Sequence, residues 1–387
     1  MRYPISNATL DAGDVAILGR KGSGKTYTAK GLVERLIKRG RRVIVIDPMS
    51  IWWGLRLAAD GVAAGLPVLV VGGEHADIPL ADPSSPEARF AATPEAGARV
   101  ARALLATTAS TVIDVADIRR PANLLFVAAL LRELYETHTR EPLWIVLEEA
   151  DLFAPQFSRA AEDTAVLAEV EMLVRRGRGR GFRLITITQR PAAIHKAVLS
   201  QIDTMIALNL PGLPERKTVR QWMEGVVPDA RAIFNALPTL PVGEAFVWTP
   251  QQRKLEREKF PTIMTFDTSS TPQQGVRRLP AGALSEKQLA ELREAFGVGV
   301  ATTRLRRTTK RKPTAAGAAI TRLRERLNLS QQDLAEKIGG HQKSLSRAES
   351  GETFVSTSML ETIAEKTGHE LVVEFRPGSR WKGCLND

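Results

Sequence analysis

The chain has 387 residues, 43% of them hydrophobic and 25% charged, a globular balance that sets aside disordered, collagen-like and coiled-coil classes for its bulk. A single cysteine, Cys384, excludes a disulfide scaffold and a cysteine-rich zinc site. Without an 18-residue apolar run or a signal-peptide pattern, the expectation is a soluble, cytoplasmic protein with no membrane contact. The formal charge is +11, and Arg277 to Pro313 alone carry 10 Lys and Arg against 3 acids, a concentration that points to a polyanion such as nucleic acid.

In chain order, the first 250 or so residues alternate apolar runs with helical patterns. Strands are expected at Asp14 to Leu18, Arg42 to Asp47, Pro67 to Val71, Thr111 to Val115, Leu143 to Leu147, Arg183 to Thr188, Thr204 to Leu208 and Glu244 to Trp248. Each is rich in Val, Ile and Leu with little alternation, as in parallel strands covered on both faces. Lys25 to Lys38, Glu87 to Leu105 and Asn123 to Thr137 carry apolar residues three and four apart and read as helices between them. The pattern predicts an α/β domain with a mostly parallel sheet over residues 1–270. A Ser, Thr, Pro, Gln and Gly-rich stretch then opens a basic linker, 271–313, with a short helix at Ser285 to Ala295. Residues 314–372 read as a small all-α domain, and 373–387 as a tail.

GRKGSGKT, Gly19 to Thr26, fits G-x-x-x-x-G-K-[ST] between an apolar run and a helical one. Gly22 and Gly24 free the backbone to wrap phosphates at a helix N-terminus, Lys25 balances the β and γ charges, and the Thr26 hydroxyl suits Mg²⁺. Gly19, Lys21, Gly22, Ser23, Gly24, Lys25, Thr26 and the following Tyr27 are the candidate binding residues for ATP. Further on, PLWIVLEEADLF, Pro142 to Phe153, is an apolar strand ending in Glu148 and Glu149. A triphosphatase needs one acid at such a tip for the Mg²⁺ shell and a second to orient or deprotonate water. Adjacent strand residues point to opposite faces, so both acids serve only if the strand ends there. Trp52 and Trp53, after the second strand, read as core or subunit contacts.

GRKGSGKT, VIDPMSIWWGLR (Val45 to Arg56), LEEADLFAPQ (Leu147 to Gln156) and GRGRGFRLITITQRPAAIHKAVLSQID (Gly177 to Asp203) together resemble the HerA and FtsK branch of P-loop ATPases. The resemblance covers roughly residues 10 to 270. It implies a RecA-like P-loop NTPase core, a hexameric ring with ATP at subunit interfaces, and translocation along double-stranded DNA. By the same resemblance Glu148 holds Mg²⁺ through water, Glu149 is the catalytic base, Gln189 senses the γ-phosphate and Arg178 is the finger reaching a neighbour's ATP. Arg176 and Arg180 are the alternatives for that finger. Two departures stand out. The strand-tip acid is Glu148 where aspartate is usual, and 18 residues precede Gly19 where an N-terminal β-barrel is common, so assembly is expected to rest on the core, the C-terminal additions or a partner.

The helical pieces Ala316 to Leu327, Gln331 to Ile338, Gln342 to Glu349 and Ser356 to Thr367, with SQQDLAEKIG and SLSRAESG, resemble the lambda-repressor-like (XRE-type) helix-turn-helix family. That resemblance offers Gln342, Lys343, Ser344 and Arg347 to bases and phosphates, with Arg311 and Lys312 of the basic run adding backbone affinity. A neutral overall charge and Glu349 in the reading helix weigh against DNA contact. The expected function is an ATP-hydrolysing, ring-forming motor on double-stranded DNA, working with an effector or nuclease partner. The alternatives are a DNA-tethered ATP-dependent assembly switch and a transcriptional regulator.

Overall fold

The computed structural model describes residues 3–84, 91–224, 227, 230–268, 286–295, 315–349 and 355–372, and falls into two compact units, Met1–Val300 and Ala301–Asp387. In the first unit nine strands form one sheet. They are β1 (Val15–Leu18), β2 (Arg42–Asp47), β3 (Val68–Val71), β4 (Ser110–Asp114), β5 (Leu143–Leu147), β6 (Phe182–Thr188), β7 (Thr204–Ala207), β8 (Glu244–Thr249) and β9 (Lys254–Lys259). Their order across the sheet is β3-β4-β2-β5-β6-β1-β7-β8-β9. The first seven are parallel, and β8 and β9 close one edge as an antiparallel hairpin.

The apolar runs are continuous because both faces are covered. Ile44 and Ile46 of β2 and Leu143, Ile145 and Leu147 of β5 enter one core cluster, while Val43, Val45, Trp144 and Val146, the residues between them, enter another. The first face is covered by α3 (Pro94–Leu105), α4 (Arg120–Thr137) and α5 (Ala161–Arg176), and the second by α1 (Asn7–Ala12) and α2 (Lys25–Lys38). The short α6 (Lys196–Leu199), with α7 (Leu213–Met223) and α8 (Ala230–Ala236), follows, α7 and α8 packing on β1, β7 and β8. A further helix, α9, spans Glu286–Ala295.

Two expectations are corrected. The helix expected from Glu87 begins at Pro94, where the Thr93 hydroxyl accepts a hydrogen bond from Ala96 N–H at 3.2 Å and proline opens the first turn. Residues 91–93 lie outside it, and 85–90 lie outside the described residues. Strand β9 was not expected, because KLEREK has no apolar run. It is an edge strand pairing with β8 from Glu244↔Lys259 to Thr249↔Lys254, with Arg257 bonding Glu244 at 2.8 Å.

The second unit holds α10 (Ala315–Arg326), α11 (Gln331–Lys337), α12 (Gln342–Glu349) and α13 (Thr357–Thr367) around Ile320, Leu334, Ala335, Leu345 and Ile363. Ser330 caps α11 in a reciprocal capping box with Asp333, and Gly339 takes a positive φ of 71° in the turn that follows. The two units together are an α/β P-loop fold with a mostly parallel sheet and a small all-α helix-turn-helix domain. Among the described residues no helix is long and apolar enough to cross a membrane.

Candidate functional site

The phosphate-binding candidate lies where β1 ends and α2 begins, at the C-terminal edge of the parallel strands. Gly22 and Gly24 adopt φ of 77° and 93°, a left-handed backbone that admits glycine at little cost. Gly24 caps α2 without a side-chain bond, and the helix ladder begins with Thr28 N–H to Gly24 O at 2.8 Å. The N–H groups of Lys25, Thr26 and Tyr27 are therefore left for an anion. Ser23 is buried, and its hydroxyl has no hydrogen-bond partner among the described residues. Lys21 and Gly22 are exposed, Gly19 is buried, and the half-buried Tyr27 accepts Ile263 N–H on its hydroxyl at 3.0 Å.

The loop is pinned from a distance. Arg20 donates its backbone N–H to Asn209 O at 2.8 Å and its Nε to Asn209 Oδ1 at 2.9 Å, while Asn209 Nδ2 donates to Pro238 O and Leu240 O. Gly243 N–H reaches Ser23 O at 3.1 Å. Asn209 was not singled out from the sequence; its one signal is a polar residue ending the apolar run TMIALN.

Both glutamates meet Lys25. Its Nζ lies 3.2 Å from Glu149 Oε1 and 3.9 Å from Glu148 Oε1, and the Thr26 hydroxyl donates to Glu148 Oε1 at 3.0 Å. Adjacency does not send the acids to opposite faces, because β5 stops at Leu147 and Glu149 turns into the left-handed region at φ 47°, ψ 55°. For a side chain with a Cβ that conformation costs on the order of 1 kcal/mol, a strain located at a functional candidate.

Glu148 is fully buried, and burial pushes its carboxyl up to about 7, opposed by Lys25 and reinforced by Asp47 and Glu149. Trp52 donates its indole N–H to the other oxygen, Glu148 Oε2, at 3.0 Å. Asp47, at the tip of β2, accepts backbone N–H groups from Met49, Ile51 and Trp52, and burial, followed by Asp114, raises its carboxyl to about 6. Trp52 is a core residue, as expected, and its indole also touches the site, a contact of which the sequence carries no sign.

Gln189 follows β6 beside the loop, since Gly19 N–H donates to Thr188 O at 3.2 Å. The strand end itself is capped by Thr188, whose hydroxyl accepts Arg190 N–H at 2.9 Å and donates to Asp151 at 2.7 Å. The half-buried Gln189 side chain makes no hydrogen bond to a described residue.

The arginines lie at the opposite edge. Arg178 precedes β6, so the length of that strand, about 20 Å at 3.3 Å per residue, separates it from its own phosphate loop. It is exposed, with Nη1 3.7 Å from Asp203 Oδ1. Arg180 is committed to packing: it donates to Tyr135 O at 2.6 Å and lies 4.4 Å over the Tyr135 ring. Arg176 is exposed on the last turn of α5.

In the second unit α12 buries Leu345 and Ala348 and exposes Gln342, Ser344 and Arg347. The Lys343 side chain, Arg311 and Lys312 lie outside what is described. Glu349, weighed above against DNA contact, is buried, with Arg324 Nε 2.8 Å away and Gln331 donating to it at 2.7 Å. It braces the module and does not line its outer face.

The glycine-wrapped loop, the acids on a neighbouring strand tip and the parallel sheet make up a P-loop NTPase core, part of which is similar to the HerA group, with a helix-turn-helix domain beyond it in the sequence. Residues 12–50 match the family model of the helicase HerA central domain and residues 315–370 that of a helix-turn-helix domain. The chain is 28% identical over 106 residues to the DNA double-strand break repair helicase HerA of Pyrococcus furiosus, a match covering 27% of this chain and 18% of that protein. It is 28% identical over 117 residues to the probable DNA double-strand break repair helicase HerA of Methanocaldococcus jannaschii, covering 30% and 22%. These matches span about a fifth of the length of those curated relatives. Among solved structures, the genome packaging NTPase B204 of Sulfolobus turreted icosahedral virus 2 in complex with AMPPCP overlays at a TM-score of 0.40 and 13% identity, covering 65% of this chain and 99% of that one.

Proposed function

We propose that this chain is a Mg²⁺-dependent ATPase that couples ATP hydrolysis to movement along double-stranded DNA, as a homo-oligomeric ring, a hexamer by resemblance, working with an effector or nuclease partner. The observation that carries the reading is the meeting of Lys25, Thr26, Glu148 and Glu149 at the uncapped start of α2. The unpartnered Ser23 hydroxyl and the free N–H groups of the first helical turn fit a triphosphate. The Thr26 hydroxyl and Glu148 carboxylate are hard oxygen donors of the kind Mg²⁺ takes alongside substrate phosphates, and they are the groups that would hold it. Bound there, the ion screens charge on the β and γ phosphates.

In this mechanism the residues divide the work. The 19–27 loop, with Gly19, Lys21, Gly22, Ser23, Gly24 and Tyr27, wraps the phosphates through its backbone, and Lys25 offsets the charge that grows on the β–γ bridging oxygen. A water oxygen attacks the γ-phosphorus, the bond to the β-phosphate oxygen breaks, and Glu149 takes the water's proton. Gln189, at the strand tip beside the loop, is the γ-phosphate sensor. Arg178 serves the ATP of a neighbouring copy, a role its distance from its own loop supports. The helix-turn-helix unit, through Gln342, Lys343, Ser344 and Arg347 with Arg311 and Lys312 of the linker, holds DNA. A cytoplasmic site of action follows from the need for ATP and duplex DNA together.

Phosphate release with and without long duplex DNA tests the motor. A severalfold rise with DNA is expected; turnover indifferent to DNA, together with an ATP-dependent change of mass, favours the assembly switch instead. The exposed outer residues of α12 keep the regulator reading in view, and Lys25→Ala retaining all specific DNA binding and all cellular effect would establish it.

A further inference from the structure

Glu148 has one methylene more than an aspartate would, and so one more rotor between its backbone and its oxygens. Its position is nevertheless fixed from three sides. Its backbone N–H donates to Ile46 O at 3.2 Å, Oε1 accepts the Thr26 hydroxyl, and Oε2 accepts the Trp52 indole N–H at 3.0 Å. Trp52 is itself immobilised. It is fully buried among Val45, Leu55, Val68, Val70 and Val146, and its backbone N–H is held by Asp47 Oδ2 at 2.8 Å. Asp47 also takes Met49 and Ile51 N–H groups at 2.9 and 2.8 Å, which locks the whole turn between β2 and the indole. A buried indole needs an acceptor for its one donor, and any backbone carbonyl would satisfy it. Here the acceptor is a carboxylate that also touches the phosphate loop.

We propose that Trp52 is a positioning residue for Glu148: its indole N–H anchors one carboxylate oxygen so that the other stays at the Thr26 hydroxyl, where the two groups hold Mg²⁺ together. The proposal rests on the reading of Thr26 and Glu148 as the Mg²⁺ groups of a nucleotide site. A rigid donor of this kind removes the additional rotor that a glutamate has over an aspartate. Groups that orient a metal ligand in this way change metal affinity by about 10- to 100-fold when lost.

The test uses the full-length protein and a fluorescent ATP analogue, with binding measured in excess EDTA and again with Mg²⁺. Trp52→benzothienylalanine keeps the ring volume and deletes the donor, and Trp52→Phe provides a second variant. Wild type is expected to bind more tightly with Mg²⁺. Both variants should match its EDTA affinity within about twofold while losing about tenfold of the Mg²⁺-dependent gain. In wild type labelled with nitrogen-15 at its 6 tryptophans, the Trp52 indole cross-peak, identified by its absence from the variant spectrum, should move when Mg²⁺ joins the nucleotide complex. An unchanged Mg²⁺ gain in the variants, an equal loss with and without Mg²⁺, or a stationary Trp52 cross-peak in wild type overturns the proposal. A wild type whose nucleotide binding ignores Mg²⁺ overturns the underlying reading as well, whereas a Mg²⁺-sensitive wild type with indifferent variants overturns the role of Trp52 alone.

Discussion

The two ends of the central sheet carry opposite chemistry. At the C-terminal ends of β1, β2 and β5, the carboxylates of Asp47, Glu148 and Glu149 are buried and held by neutral donors and one lysine, Lys25. At the N-terminal ends of β6 and β7, Arg178 is exposed and its acid, Asp203, sits on the rim beside the buried Asp14. The acids need one copy of the chain to come together. The arginine, a strand length away, needs a second copy if it is to meet a phosphate at all, and this asymmetry supports a site shared between subunits.

The largest effects should come from the buried end. Lys25→Ala and Glu149→Gln are each expected to lower ATP turnover by about 10³-fold or more, read as phosphate release, because one loses the charge on the phosphates and the other the proton acceptor. Retained turnover in Glu149→Gln would transfer the base role elsewhere. Next in size is a test of the exposed end. Arg178→Ala alone should be as inactive as Glu149→Gln, and an equal mixture of the two should regain activity at about a quarter of the interfaces, those pairing an intact base with an intact arginine. No recovery at any mixing ratio separates Arg178 from the chemistry and leaves Arg176 as the exposed alternative.

A smaller effect at the N-terminal ends of the strands is read through pH. Burial pushes Asp14 up to about 7 from 3.8. A raised acid binds its proton more tightly folded than unfolded, so its contribution to stability is full below about pH 4 and is lost as pH rises through about 7. Asp14→Asn should therefore be more stable than wild type at pH 8 by on the order of 2 kcal/mol, the margin closing near pH 4, as denaturant titrations at the two pH values would record. The smallest expected change belongs to Asp203→Asn. Its pair with the exposed Arg178 is worth about 0–1 kcal/mol, so turnover should move by no more than about fivefold; a larger loss would make Asp203 the group that aims the arginine.

Much of the fold was legible in the sequence because parallel strands covered on both faces must be apolar at every position, and the eight apolar runs are strands within a residue or so of each end. Lys25–Lys38 and Gln342–Glu349 agree at both boundaries. What escaped was set by other forces. Strand β9 is stabilised by ladder hydrogen bonds and cross-strand charge, which leave no periodic apolar trace. The left-handed turn at Glu149, which brings two adjacent acids to one lysine, is a backbone event that residue spacing does not report. The partners of Trp52, Asn209 and Glu349 lie 96, 189 and 25 residues away, so only the folded chain pairs them.

The charged hairpin edge has a bearing on assembly. On β9, Lys254, Arg257 and Lys259 are exposed, and at the other margin β3 is covered by Asp77, whose backbone donates to Val70 O and whose carboxylate accepts Val70 N–H. Among the described residues neither margin offers bare, greasy main chain to another molecule, which works against copies adding strand to strand. The ring proposed above would instead be stitched from helices, loops and strand tips, surfaces that can loosen and re-form without unravelling the sheet.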